Sequence, residues 1–236
     1  MVKVSFKELM VSQDLPKQGK QKILVVDDHQ LILSASLELL RQEYTEAEFL
    51  KAQSAQEAFD IVASYQLDLV VIDLSIPEKS GMIAQIDTGI QLLKTLMKKY
   101  PTLNLVVQSS YIKALVRIKR EIDDHQGGFV IANKGLSEQE ILNRVNLALQ
   151  GITHTKDIKT ALEFKPEWLE VLKLAFEEGL QDKAIAEQMH IHERTVRSYW
   201  TKIQDVLGVY PEDCKLEGKN MRIQTTIRAR VEGLID

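Results

Sequence analysis

Apolar positions recur with two periods along this chain, and one of them disappears near residue 150. Before that point, short continuous apolar runs alternate with stretches whose apolar residues lie three and four apart. Residues 22–27 (KILVVD), 47–52 (AEFLKA), 67–73 (LDLVVID), 103–109 (LNLVVQS) and 127–133 (GGFVIAN) read as strands. KILVVD is apolar almost throughout, as in a strand covered on both faces. Residues 29–43, 54–65, 89–100, 111–123 and 137–150 read as helices, the first with Leu31, Ile32, Ala35, Leu39 and Leu40 at helical spacing. Ser137 followed by Glu140 is a capping-box pattern. Five β/α alternations predict an α/β fold, a five-stranded doubly wound parallel sheet with helices on both faces.

Strand signals vanish after residue 150. Residues 151–164 (GITHTKDIKTALEF) carry no clear period and read as a linker. Residues 166–178, 182–189, 193–207 and 222–232 all read as helices, so residues 165–236 form an all-α domain. Residues 1–20 are polar and mixed, with one amphipathic turn at Val4, Phe6, Leu9 and Met10, and read as an extension before a domain at 21–150. Residues 81–88 and 210–221 interrupt the pattern as insertions. Tyr210, Pro211 and Gly218 mark the second as loop. The first delays the next helix to Gly89, and its Met82, Ile83 and Ile86 suggest that it folds back as a lid near Asp73.

Composition narrows the class. The chain has 236 residues, 44% hydrophobic and 27% charged, with net charge −4. No apolar run reaches the roughly 18–20 residues that span a bilayer, and a cytoplasmic protein without membrane partners is expected. A single cysteine, Cys214, excludes an internal disulfide framework and reads as a bystander in a surface loop.

Candidate chemistry lies at the carboxyl ends of the strands, where doubly wound sheets bind ligands. The strand ends carry Asp27 and Asp28, then Asp73, then Ser109, with Lys134 just past the fifth strand. Singly, each has a plain reading: an aspartate caps a loop and a lysine is solvated. Together, three carboxylates repel unless a cation joins them, and hard oxygen ligands favour Mg2+. A carboxylate beside Mg2+ is a plausible nucleophile toward a phosphoryl group. Ser109 can hydrogen-bond the resulting acyl phosphate and Lys134 can balance its charge.

In the helical half, residues 193–207 (ERTVRSYWTKIQDVL) place Val196, Trp200, Ile203 and Leu207 on one stripe. Arg194, Arg197, Ser198 and Thr201 occupy another face, with Lys202 beside them. Joined tightly to residues 182–189, this helix fits the second element of a helix-turn-helix, although an amphipathic helix with a solvated charged face has the same pattern. Residues 164–236 hold 11 Lys/Arg and 13 Asp/Glu, so overall charge does not favour DNA.

Residues 21–150, through KILVVDDHQLIL, DLSIP, VVQSS and NKGLSEQEI, resemble the receiver domain of bacterial two-component response regulators. Residues 166–209 resemble the LuxR-type helix-turn-helix of NarL/FixJ regulators, and the likeness resumes at RIQTTIRARVEGLI. The resemblance implies that Asp73 accepts phosphate from a histidine kinase, with Ser109 and Lys134 assisting. Asp28 would bind Mg2+ directly, Asp27 through water, and the Ser75 backbone carbonyl would join Asp73 as ligand. Arg197, Ser198 and Thr201 would face bases of double-stranded DNA, while Lys183, Thr195 and Lys202 would hold phosphates. The implied function is a response regulator whose phosphorylation controls dimerisation and DNA binding, and not an enzyme on an external substrate. A phosphorylation-independent transcription factor and a protein-binding signalling adaptor are the alternatives.

Three departures from the family pattern stand out. Ile131 occupies the position of a family aromatic, Phe129 lies two residues earlier, and the approach to Lys134 reads as carrying a two-residue bulge. Gln181 replaces a serine cap, and Asp182 reads as its substitute. His192 and Tyr199 stand where the family has serine and often histidine.

Overall fold

The computed structural model describes residues 20–154 and 164–235. The amphipathic turn read at residues 4–10 and most of the linker lie outside these residues. Five strands, β1 (Lys22–Val26), β2 (Glu48–Ala52), β3 (Leu69–Ile72), β4 (Asn104–Ser109) and β5 (Phe129–Asn133), form one sheet in the order β2-β1-β3-β4-β5. Every neighbouring pair is parallel. The central strands are buried on both faces, which is why their sequences are apolar without alternation.

Helices cover both faces. α1 (Gln30–Glu43) and α5 (Glu138–Leu149) pack on one face through Leu33, Leu37, Leu40, Val145 and Ala148. α2 (Ala55–Ser64), α3 (Ile86–Lys99) and α4 (Lys119–Asp123) cover the other. The capping box forms: the Glu140 N–H donates to Ser137 Oγ, and the Ser137 N–H donates to Glu140 Oε2 at 3.1 Å.

Five helices form a second core: α6 (Pro166–Phe176), α7 (Asp182–Gln188), α8 (Glu193–Val206), α9 (Pro211–Leu216) and α10 (Met221–Val231). Phe164, Trp168, Leu172, Val196, Trp200 and Ile203 are its centre. Among the described residues, no helix is long and apolar enough to cross a membrane.

The structure corrects several sequence readings. Residues 111–123 are not one α-helix: Ile112–Ile118 form a 3-10 helix, and only Lys119–Asp123 are α-helical. Ile112, Leu115 and Ile118 recur every third residue, the period of a 3-10 helix, and all pack into the receiver-like core. The 210–221 segment is not all loop. Pro211 at the first helical position, Glu212 and Asp213 in the first turn and Lys215 in the last make α9, which buries Cys214. β5 carries no bulge, since it pairs with β4 in unbroken register from Leu105↔Phe129 to Ser109↔Asn133. Gly151–His154, read as the start of the linker, stay attached: the His154 N–H donates to the Phe129 carbonyl at 2.9 Å along the free edge of β5.

The loop after β3 also differs. α3 begins at Ile86, not at Gly89. Met82 and Ile83 are exposed, so only Ile86 of the three folds back on the core. The loop is tied elsewhere: the Ala55 and Gln56 N–H groups donate to the Pro77 and Glu78 carbonyls, and the Gln85 N–H donates to the Ile76 carbonyl. The first two bonds lash the loop to the start of α2, the third closes it on itself, and none supports a lid over Asp73. Gly89 serves packing. A Cβ there would sit 2.2 Å from the Leu74 carbonyl oxygen, so glycine lets α3 press on the backbone immediately after Asp73.

Gly89→Ala is therefore expected to destabilise the protein by roughly 1–3 kcal/mol, even after the ~1 kcal/mol that alanine gains in helix propensity. A denaturation midpoint equal to that of the native protein would contradict this account.

Candidate functional site

Strand register builds the site. Val26 and Ile72 are paired neighbours in β1 and β3, so Asp27 and Asp73, one residue later on each, emerge side by side at the carboxyl edge. This is the point where the strand order reverses, the usual crevice of such sheets. Asp27 and Asp73 are both 4% exposed. Lys134, past the end of β5, reaches across: its Nζ donates to Asp27 Oδ2 and to Asp73 Oδ2, each at 2.7 Å.

Burial alone would lower the Lys134 pKa. Its hydrogen bonds to Asp27 and Asp73, with their charges, outweigh burial and hold the ammonium above the ordinary lysine value. Asp27 Oδ1 accepts the His29 N–H at 2.8 Å. Asp28 is half-buried, and His29 Nδ1 lies 2.8 Å from its Oδ1, close in distance but not aligned as a hydrogen bond. His29 was not singled out from the sequence. Its position directly after the acidic pair was the available signal.

Asp73 Oδ1, like Asp28 Oδ1, is buried and has no hydrogen-bond partner among the described residues. A carboxylate oxygen left so is costly unless something binds it. The three carboxylates also exceed the one ammonium among them, leaving an excess that suits a divalent cation. Asp27, Asp28 and Asp73 supply the hard oxygen donors that suit Mg2+, and among the described residues it is Asp27, Asp28 and His29 whose ligand atoms already lie within 4.8 Å of one another. Ser75 lies in the bend after β3, half-buried, two residues beyond Asp73.

Ser109, at the end of β4, is fully buried, and its Oγ accepts the Tyr111 N–H at 3.2 Å. Ile131 and Phe129 are both fully buried in β5. An aliphatic side chain fixed in a core offers no ring to swing outward.

The second cluster is the α7–α8 pair. His190 carries the turn between them in the left-handed region, at φ 54°. The Ile191 N–H then closes onto the Ala186 carbonyl at 2.9 Å, ending α7 abruptly. Val196, Trp200 and Ile203 bury one face of α8. Arg194, Arg197, Ser198, Thr201 and Lys202 are exposed, as is Lys183 at the start of α7, while Thr195 is half-buried. Arg197 pairs with Glu193 one turn earlier.

Asp182 does not cap α7. Gln181 is the cap position, without a side-chain bond, and Asp182 is occupied elsewhere. Its Oδ1 accepts Trp200 Nε1–H at 3.0 Å and Arg222 at 2.6 Å. The Arg222 guanidinium also lies 3.5 Å from the Trp200 ring centroid. This clamp joins α7, α8 and α10. Nothing local in the sequence signals it, because Arg222 lies beyond the 210–221 insertion.

Comparison with known proteins follows the same division. The model of the response regulator receiver domain matches residues 23–146. The transcriptional regulatory protein YdfI of Bacillus subtilis (strain 168) is 30% identical over 195 residues, covering 79% of this chain and 89% of that protein. The DNA-binding transcriptional activator DevR/DosR of Mycobacterium tuberculosis is 24% identical over 203 residues, covering 80% and 88%. A structure of two RcsB dimers bound to two parallel DNAs superposes with a TM-score of 0.60 at 18% identity, covering 90% of this chain and 98% of that one. At that identity the likeness concerns the fold, including the helical half.

Two outcomes are expected. Lys134→Met leaves Asp27 and Asp73 facing each other and should lower stability in EDTA by roughly 1–3 kcal/mol, with Mg2+ recovering more of it than in the native chain. Because the folded pKa of Lys134 is raised, its contribution is complete below the unfolded lysine value of about 10.4 and is lost as pH rises through the folded value. The native chain should show this alkaline loss and the variant should not; identical alkaline profiles would contradict it. His190→Gly should raise stability by roughly 0.5–1 kcal/mol, read from the thermal midpoint, because glycine adopts positive φ freely.

Proposed function

The chain belongs to the response regulator receiver domain family, and from that premise we propose that it is a phosphorylation-controlled transcription factor. The observation that carries this reading is Asp73 Oδ1, a buried carboxylate oxygen without a partner beside Lys134 and the Asp27–Asp28 pair. The related transcriptional regulators, which align along most of the chain, support the second half of the reading.

An Asp73 oxygen attacks the phosphorus of a histidine kinase's phosphohistidine. A P–O bond forms and the P–N bond breaks. The departing imidazole nitrogen keeps the electron pair and takes a proton from water. Mg2+, when held by Asp27, Asp28, Asp73 and the Ser75 carbonyl, supplies positive charge against the phosphoryl oxygens. Lys134, already hydrogen-bonded to Asp73, shifts its ammonium to the new phosphoryl group. Ser109 donates its hydroxyl to another phosphoryl oxygen.

The resulting shift in the receiver biases dimerisation and DNA binding in the cytoplasm. Arg197, Ser198 and Thr201 present the exposed face of α8 to base edges, with Arg194 beside them. Lys183, Thr195 and Lys202 hold phosphates. Each protomer of a homodimer takes one half-site of double-stranded DNA.

Beryllofluoride with Mg2+ should raise affinity for DNA selected from a genomic pool, and Asp73→Asn should abolish that response. An unchanged affinity and oligomeric state in the loaded protein would sink the reading. The buried Ile131 favours a second reading, a receiver that acts without phosphate; an Asp73 that no small phosphodonor labels is its signature. Arg197→Ala should cost about 1–3 kcal/mol of specific binding and relax base preference, whereas Lys202→Ala should weaken all sequences alike and flatten the salt dependence. Binding without steep salt dependence would instead indicate a protein-binding adaptor.

A further inference from the structure

The acidic end of β1 carries a nitrogen donor that an oxygen-loving cation does not need. Asp27, Asp28 and His29 offer donor atoms within 4.8 Å of one another, and among the described residues they form the one such group of three. His29 occupies the cap position of α1, yet its side chain makes no capping bond. That side chain is 62% exposed, against 6% for Asp27 and 24% for Asp28. The local backbone fixes the three residues together. The His29 N–H donates to Asp27 Oδ1 at 2.8 Å, and Gln53 Nε2 donates to the Asp28 carbonyl at 3.2 Å.

The separations suit a shared ion better than a shared proton. His29 Nδ1 lies 2.8 Å from Asp28 Oδ1 and 3.6 Å from Asp27 Oδ1. The shorter approach has the length of a hydrogen bond without its alignment, and Asp28 Oδ1 is buried with no hydrogen-bond partner. Two donors bound to one cation at ~2.1 Å stand ~3.0 Å apart at right angles and ~3.4 Å apart at tetrahedral angles. The two observed separations fall on either side of that range. Lys134 does not compete for these atoms, since it bonds Asp27 Oδ2 and Asp73 Oδ2. In the same crevice Asp73, 4% exposed, keeps a buried Oδ1 without a partner, an independent sign that positive charge is still called for.

We propose that Asp27, Asp28 and His29 form a transition-metal site that takes Zn2+ in preference to Mg2+, and that its occupancy withholds Asp27 and Asp28 from the Mg2+ of the phosphoryl site. The withholding half rests on the Mg2+ reading above; the site itself does not. Mg2+ keeps to oxygen donors, whereas imidazole suits Zn2+ and its neighbours in the first transition row. The exposed His29 ring gives the ion an entry path and leaves a further position to water. Both cations draw on the same two carboxylates, so they exclude each other. A chain holding Zn2+ is then kept from accepting phosphate until the ion leaves.

The test uses the full chain, stripped with EDTA and dialysed. Zn2+ and Mg2+ affinities are measured by calorimetry in the native chain and in His29→Ala, and Co2+ serves as the spectroscopic probe. Loss of an outer-shell partner costs a metal site roughly 10–100-fold in affinity, and loss of a direct ligand should cost at least as much. The ratio of Zn2+ to Mg2+ affinity should therefore fall by ~10-fold or more in His29→Ala, and the visible Co2+ absorption should shift. His29→Gln, which restores bulk without an imidazole, should behave as His29→Ala does. An unchanged affinity ratio, or a Co2+ spectrum identical in native and variant chains, overturns the site. Mg2+ is then titrated into native chain saturated with Zn2+. A weaker apparent Mg2+ affinity, recovered in His29→Ala at the same Zn2+ concentration, supports the withholding; an Mg2+ affinity indifferent to Zn2+ overturns it. A native chain that binds no Mg2+ sinks the Mg2+ reading and the withholding with it, while Zn2+ affinity and the Co2+ spectrum still decide the site.

Discussion

The arrangement depends on one ammonium group placed between two buried carboxylates. Asp27 and Asp73 leave adjacent parallel strands at the same level, so register alone forces them together. Their mutual repulsion in a largely dehydrated crevice would favour local opening. Lys134 offsets that repulsion by bonding one oxygen of each. It can do so because β5 pairs with β4 without a bulge and delivers the lysine at the same edge. Close packing sets that strand's entry: a Cβ at Gly128 would lie 2.3 Å from the Ala148 carbonyl oxygen, so α5 sits directly on the backbone there.

The same bridge explains why the site is poised. Lys134 satisfies Asp73 Oδ2 and leaves Oδ1 bare. The lysine offsets only part of the charge of three carboxylates, so the pocket holds its shape and still favours a cation. On the proposed reading, phosphorylation redistributes the lysine, with Ser109 as the nearest hydroxyl-bearing strand end to respond.

Much of the fold was legible because buried parallel strands are written as continuous apolar runs, and these runs end in the residues that line the crevice. The candidate site residues could be gathered from strand ends alone, since all share one edge of one sheet. Other features depended on information the periodicity does not carry. Residues 112–118 pack on two cores at once, so their apolar positions fit a helical reading of either kind; the three-residue spacing of Ile112, Leu115 and Ile118 was the discriminating sign. Gly89 looked like a helix start but is a contact with the Leu74 backbone, a demand that only the tertiary structure makes. α9 hid among loop-like residues because six residues show little periodicity. The Asp182–Trp200–Arg222 clamp joins residues 40 apart and has no local signature.

The buried Ile131 bears on how a signal could leave the crevice. With an aliphatic side chain fully buried there, no ring can exchange between inward and outward positions. Beside it, Ser109 meets Tyr111 through one hydrogen bond, and Tyr111 leads directly into the 3-10 helix. Packed on two cores at once, that helix couples the sheet half to the helical half through close contacts rather than through a mobile ring.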